Sequence, residues 1–193
     1  HSQKTVDEYY LDLRNFLRYI RQLHEPEFIG LKLDQIDIRD IDIDFIRSIT
    51  LTDVYSYLAY LSRDRLQRPN SEKSNKGLSA SSRARKVATL RSFFNYLCNK
   101  VHLLPENPIQ DIDSPKIRKT LPCYLTLDES IRLLETVDGP NSERDLCILT
   151  LFLNCGLRIS ELIGLNRSDI QDDALRVLGK GNKVRIVYLN QAC

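Results

Sequence analysis

The chain lacks any hydrophobic run long enough to cross a bilayer. Its most apolar stretch, Cys147 to Cys155, falls far short of the roughly 20 residues a helical span needs. No signal peptide is expected from its first residues. The first residue is His1 rather than Met, which suggests processing or a tag remnant, so residues 1–3 are set aside in reading the fold. The five cysteines are odd in number and show no CxxC spacing, which argues against a disulfide framework. Cys98, Cys147 and Cys155 sit in apolar helical contexts and are expected to be reduced core thiols in a cytoplasmic protein. The three histidines, His1, His24 and His102, are too far apart to form a zinc-ligand pattern. No internal repeat is evident.

What remains is an ordinary globular composition of 42% hydrophobic and 28% charged residues. At 193 residues the chain can build one large or two small domains. Its net charge of +2 conceals an asymmetry. Between Arg63 and Lys119 there are thirteen basic residues and five acidic ones, so this segment carries +8 and the rest −6. Such a division is a footprint for a polyanion, with solvated helix faces as the plainer alternative.

Thr5-Val-Asp-Glu8 has the form of a capping box, and Val6, Tyr9, Leu13, Phe16, Leu17, Ile20 and Leu23 follow at helical spacing. Asp12, Arg14, Arg18 and Arg21 lie between these apolar positions, and the helix should end before Pro26. Residues 28–50 hold five aspartates (Asp34, 37, 40, 42, 44) partly alternating with isoleucines. They predict an acidic connector with a short helical turn near Ile43 to Ser48, and their spacing is not that of a calcium loop. A second helix is expected from Thr52 to about Asp64, then a polar loop over 65–78. Ser79 or Ser81 should cap a long helix reaching about Lys100, with Ala84, Val87, Leu90, Phe94 and Leu97 as its stripe. Arg83, Arg85, Lys86 and Arg91 fall mostly on its other faces, where they are candidates for phosphate contacts. A short helix or turn follows at Asn107 to Ile112, closing a helical unit over 4–112.

Residues 113–123, with two prolines and the cations Lys116, Arg118 and Lys119, read as an extended basic linker. Thr126-Leu-Asp-Glu129 is another capping box, opening a helix to about Val137. Glu143 to Asn154 predicts a buried, almost wholly apolar helix stopped by Gly156. A short helix over Ser160 to Leu165 and a turn at Asn166 to Asp169 come next. Ala174 to Leu178 and Val184 to Leu189 are strand-like and flank Gly179-Lys-Gly-Asn-Lys183, a β-hairpin pattern.

Two features carry candidate chemistry: Arg158, at the start of a helix just past Gly156, and Lys180 with Lys183 on the hairpin turn. Each is ambiguous by itself. Arg158 could be no more than a surface ion pair with Glu161 three residues on. The turn is not a Walker loop, since no Ser or Thr follows Gly179-Lys180 and no helix comes after it. Together, however, Gly156-Leu-Arg-Ile-Ser-Glu-Leu-Ile-Gly-Leu165 and, about twenty residues later, Gly179-Lys-Gly-Asn-Lys183 resemble the opening of the catalytic domain of the tyrosine recombinases, closest to the bacterial Xer type. Upstream, the capped first helix, the helix through Ser82 to Leu97, Asn107-Pro108 and Leu121-Pro-x-Tyr-Leu-Thr126 resemble that family's core-binding domain and interdomain joint.

The resemblance implies a mainly α chain. A SAM-like helical core-binding domain (4–112) is joined by a linker (113–123) to the first part of an α+β catalytic domain (124–193) ending in a hairpin. It implies that Arg158 grips the scissile phosphate, that Lys180 protonates the departing 5′ oxygen, and that Glu161 supports the arginine's helix. Arg83, Arg85, Lys86, Arg91, Lys116, Lys119 and Lys183 would face the duplex. It further implies strand exchange through a 3′-phosphotyrosyl link, without metal or nucleotide cofactor, by a tetramer on two duplexes. The family's later His-x-x-Arg box and nucleophilic tyrosine do not occur in these 193 residues, and the one tyrosine after Lys180 is Tyr188, inside a strand. The chain is therefore expected to bind DNA without cutting it. The rival expectation is a naturally short, non-catalytic DNA-binding form that modulates a full-length partner.

Overall fold

A computed structural model describes residues 3–64, 77–117, 121–179, 181–191 and 193. The chain divides into two compact units, His1–Lys119 and Thr120–Cys193.

The first unit is built on three long helices, α1 (Gln3–His24), α3 (Leu51–Arg63) and α4 (Ala80–Asn99), with the short α2 (Ile43–Ser48) between the first two. The apolar stripes read from the spacing meet in one core. Phe16, Ile20, Val54, Tyr57, Leu61, Val87, Leu90 and Phe94 are almost wholly buried, and Ile109 and Ile112 close it from the segment after α4. Phe16 lies at its centre, edge-on to Tyr57 at 5.2 Å and to Phe94 at 6.2 Å. Such T-shaped pairs add to the gain from area burial because ring edges and faces carry opposite partial charge.

Capping fixes the helix starts. Ser79 accepts from the Ser82 N–H, and Thr50 with Asp53 forms a reciprocal box before α3. The box at Thr5 and Glu8 does not form, because α1 begins at Gln3 and runs through Thr5, and Glu8 instead pairs with Arg85 at 3.1 Å. Four of the connector's five aspartates are used in caps and ion pairs. Asp42 accepts from the Phe45 N–H, Asp44 pairs with Arg47, Asp37 with Arg39, and Asp40 with Arg21. Residues 108–111 form a turn rather than a helix, with the Asn107 side chain accepting from the Ile109 N–H at 3.0 Å.

A correction concerns Asp12. The spacing places it among polar neighbours, yet its side chain is only 3% exposed and receives Lys86 and Arg85 from α4, with Thr89 beside them. Residues 9, 12, 16 and 20 share one helix face, so Asp12 belongs to the core-facing stripe and needs a cation from α4 to offset its desolvation.

The second unit contains α5 (Leu127–Glu135), α6 (Ser142–Cys155), α7 (Ile159–Ile163) and a three-stranded antiparallel sheet of β1 (Ile170–Gln171), β2 (Ala174–Leu178) and β3 (Val184–Tyr188). The Thr126–Glu129 box caps α5. In the β2–β3 hairpin Ala174 faces Tyr188 and Leu178 faces Val184, while β1 adds a short edge strand that the sequence pattern did not reveal. Leu175 and Val177 alternate inward and join Leu157 in a small core. The expectation of a buried α6 is corrected: only Thr150 in it is buried, and Leu146 and Leu153 stand 43% and 38% exposed. The expectation for the thiols changes with it. Cys147 is exposed, Cys98 and Cys155 are half-buried, and all five cysteines are free.

Candidate active site

The site is assembled where α6 turns into α7. Gly156 ends α6 at φ 58°, the left-handed region that glycine enters without a Cβ clash. Leu157 then drops into the small core beside Leu175 and Val177, which fixes the direction in which the next residue leaves. That residue, Arg158, takes extended backbone at the start of α7 and carries a side chain 67% exposed.

Its partner is the opposite in burial. The Glu161 side chain is 2% exposed, and both its oxygens are fully used. Oε1 accepts from Arg158 Nη1 at 2.6 Å and from Arg185 Nη1 at 2.7 Å. Oε2 accepts from the Arg158 backbone N–H at 2.8 Å and from Arg185 Nη2 at 3.0 Å. Arg185 donates a two-bond fork from β3, and with the Arg158 backbone bond it holds the Glu161 carboxyl down to about pKa 2. The same carboxylate pushes the Arg185 guanidinium up from its ordinary value.

The base of the hairpin closes over this cluster. Gly179 donates to the Lys183 carbonyl at 2.7 Å. A Cβ on Gly179 would stand 3.3 Å from that carbonyl and 3.4 Å from Glu161 Oε1, so glycine there permits the close approach. Gly181 and Asn182 turn the tip with φ of 75° and 62°. Lys183 is exposed on this turn. Lys180 lies outside the described residues, as does Lys119.

The cations expected to meet a duplex are placed unequally. Lys86 is corrected: its ammonium is 10% exposed and buried against Asp12, so it serves the fold and not an outer phosphate. Arg85 is 44% exposed and pairs with Glu8 and Asp12 at 3.1 and 2.9 Å. Arg83 is half-buried. Arg91 donates to the Ile112 carbonyl and to Ser114 Oγ, tying the segment after α4 back onto that helix. Lys116 is exposed. Among the described residues no group of His, Cys, Asp or Glu could hold a metal ion, and no helix is long and apolar enough to cross a membrane.

Arg185 is the residue that sequence reading missed. The signal was available in the alternation of β3, which puts Arg185 and Val187 on the more buried side. A cation on the inward face of a strand requires a nearby anion.

Comparison with known proteins agrees with this geometry. Residues 1–100 match the phage integrase N-terminal SAM-like domain, and residues 124–193 match the phage integrase family. Among curated relatives, a tyrosine recombinase XerC of Caldanaerobacter subterraneus is 46% identical over 192 residues, covering all of this chain and 51% of its own length. A XerC of Myxococcus xanthus is 35% identical, with 98% of this chain and 54% of the relative covered. A XerD of Shewanella oneidensis is 32% identical at the same coverage. The chain thus spans about half the length of the curated relatives it matches. Among solved structures, the Tn1549 transposon integrase in complex with a circular intermediate DNA superposes with a TM-score of 0.52 at 20% identity, over 76% of this chain and 49% of that one. A SAM-like helical unit followed by the Arg158 turn and its hairpin, in the order of both family models, places this chain in the phage integrase family.

Proposed function

We propose that the chain belongs to a site-specific DNA recombinase and supplies its duplex-binding unit together with the first half of its phosphodiester site. Residues 4–112 bind the duplex, 113–123 form the joint, and 124–193 begin the catalytic domain. The observation that carries this reading is Arg158. It is a largely exposed guanidinium held on a fixed turn by a buried carboxylate that a second arginine already neutralises. A planar guanidinium offers two parallel donors to two phosphate oxygens and stays charged throughout the reaction.

In this reading Arg158 grips the scissile phosphate and stabilises the charge that develops as the phosphorus is attacked. Lys180 donates a proton to the departing 5′ oxygen. The attacking group is a tyrosine from sequence beyond Cys193. Its phenolic oxygen bonds to phosphorus as the 5′ oxygen leaves, giving a 3′-phosphotyrosyl link that the 5′ hydroxyl of a second strand reverses. One ester replaces another at each step, so no nucleotide cofactor is consumed. The protein acts as a tetramer on two duplexes. Arg85, Arg83, Lys116 and Lys183 face DNA, and the soluble setting is the cytoplasm.

The test uses full-length protein continuing this sequence, with a nicked duplex that traps the covalent product. Arg158→Ala is expected to lower the rate of covalent complex formation by about 100-fold or more, the scale of losing a donor aimed at developing charge. Duplex binding should survive that change and weaken steeply with salt, as phosphate contacts release counterions. Unchanged cleavage by Arg158→Ala would remove the phosphate-gripping role.

A further inference from the structure

We infer that Arg185 is a positioning residue for Arg158: its fork occupies and neutralises Glu161, so that Arg158 keeps its positive charge and its outer edge free for a phosphodiester. The inference rests on reading Arg158 as the phosphate-gripping arginine.

The reason lies in how one carboxylate is divided between two arginines. Glu161 accepts four hydrogen bonds, which is all that a carboxylate accommodates. Arg185 provides two of them, Arg158 provides one through its side chain, and the fourth comes from the Arg158 backbone. Only Nη1 of the Arg158 guanidinium is engaged with Glu161, and the group remains 67% exposed. Two guanidinium groups against one carboxylate leave a single net positive charge, and the exposed member of the pair is Arg158.

Removing the Arg185 cation would leave a carboxylate 2% exposed to water with two empty acceptor sites. Arg158 is the cation already in contact, so it would close onto Glu161 as a fork and surrender the edge a phosphate needs. The same carboxylate, no longer neutralised, would repel an incoming phosphate. Arg185 also ties the site to the hairpin. It lies on β3, and Gly179 at the hairpin base approaches both partners: a Cβ there would stand 3.4 Å from Glu161 Oε1 and 3.9 Å from Arg185 Nη1.

The test follows covalent complex formation by the full-length protein on a nicked duplex. Arg185→Gln is expected to slow cleavage by about 10- to 100-fold, the scale of a small displacement of a reacting group. Duplex affinity, set mainly by other contacts, should change little. Glu161→Gln combined with Arg185→Gln removes both charges and should recover most of the loss; a role confined to folding would make the double variant worse. On a duplex with a neutral methylphosphonate at the cleavage position, the penalty of Arg185→Gln should shrink, since less charge needs neutralising. Arg185→Lys, which keeps the charge and gives up the fork, should lie between wild type and Arg185→Gln and covers the case in which the glutamine variant does not fold. Wild-type cleavage by Arg185→Gln, a double variant no faster than the single one, or an equal penalty on the neutral linkage would each overturn the inference. Arg158→Ala separates the two failures: if it cleaves normally the reading of Arg158 falls first, and if it is inactive while Arg185→Gln is normal only the role of Arg185 falls.

Discussion

The two units hold their residues in place by different means. In the first, order comes from apolar packing: Phe16, Ile20 and Phe94 are fully buried, and three long helices supply the surfaces around them. In the second, α5 has no buried residue, α6 has one, and the small core rests on Leu157, Leu175 and Val177. Yet the residues around Arg158 are tightly specified, through a left-handed glycine, one apolar anchor and a saturated carboxylate. A charged cluster can therefore be locally determined in a region whose apolar faces are largely uncovered among the described residues. The charged cluster sets the geometry there, and the core sets it in the first unit.

Phe16→Ala is the strongest way to break this contrast. It removes a ring from the centre of the first core and should cost about 4 kcal/mol, the scale of a buried aromatic truncation. The chain has no tryptophan, and seven of its nine tyrosines lie in the first unit. Near-ultraviolet circular dichroism in urea therefore reports that unit. The tyrosine transition should move to markedly lower urea, while hairpin amide signals in NMR spectra keep their positions. Joint loss of both sets would show that the second unit depends on the first core.

A smaller effect is expected from the buried charge. Asp12→Ala leaves the Lys86 ammonium buried without its main partner and should cost about 3 kcal/mol, as breaking one side of a buried ion pair does. Replacing both at once, Asp12→Leu with Lys86→Met, should recover most of that loss, since an apolar pair of similar size carries no desolvation penalty. Urea midpoints of the three proteins decide it. A double variant as unstable as Asp12→Ala would mean that Arg85, Glu8 and Thr89 also depend on the carboxylate.

Asp12 also shows where the sequence could be read and where it could not. Features governed by near neighbours were legible: the Ser79 and Thr126 caps, the stop at Gly156, the turn at Ile43 to Ser48 and the β2–β3 hairpin. Each depends on residues within a few positions of one another. The Asp12–Lys86 pair joins residues 74 positions apart and the Glu161–Arg185 pair 24, and nothing in local spacing assigns such partners. Lys86 was misplaced for that reason, since a lysine near a helix start looks like a surface cation until a buried acid on another helix claims it. The Thr5–Glu8 box failed because its residues continue a helix already begun at Gln3, and Glu8 pairs with Arg85 instead. The exposure of α6 could not be read from its sequence, which is apolar whether or not anything covers it.

Acid sharpens the comparison with the least perturbation, because it weakens a charged cluster and leaves apolar contacts intact. The folded Glu161 carboxyl is held down to about pKa 2, below the 4.5 of a free glutamate, chiefly by the Arg185 fork. A depressed acid pKa contributes stability that is fully present above the free value and is lost as pH falls through the folded value. Between pH 7 and about 5, neither the Glu161 carboxyl carbon shift nor the amide shifts of Gly179 and Arg185 should move on this account. From there the stabilisation from the cluster declines, and while the hairpin stays folded the carboxyl carbon itself should titrate near 2. Arg185→Gln should bring that titration back toward 4.5, since the first cause of the depression is gone. An unperturbed midpoint near 4.5 in the unaltered chain would mean that the fork is not held in solution. The division of labour between Arg158 and Arg185 would then lose its physical basis, whatever the cleavage rates.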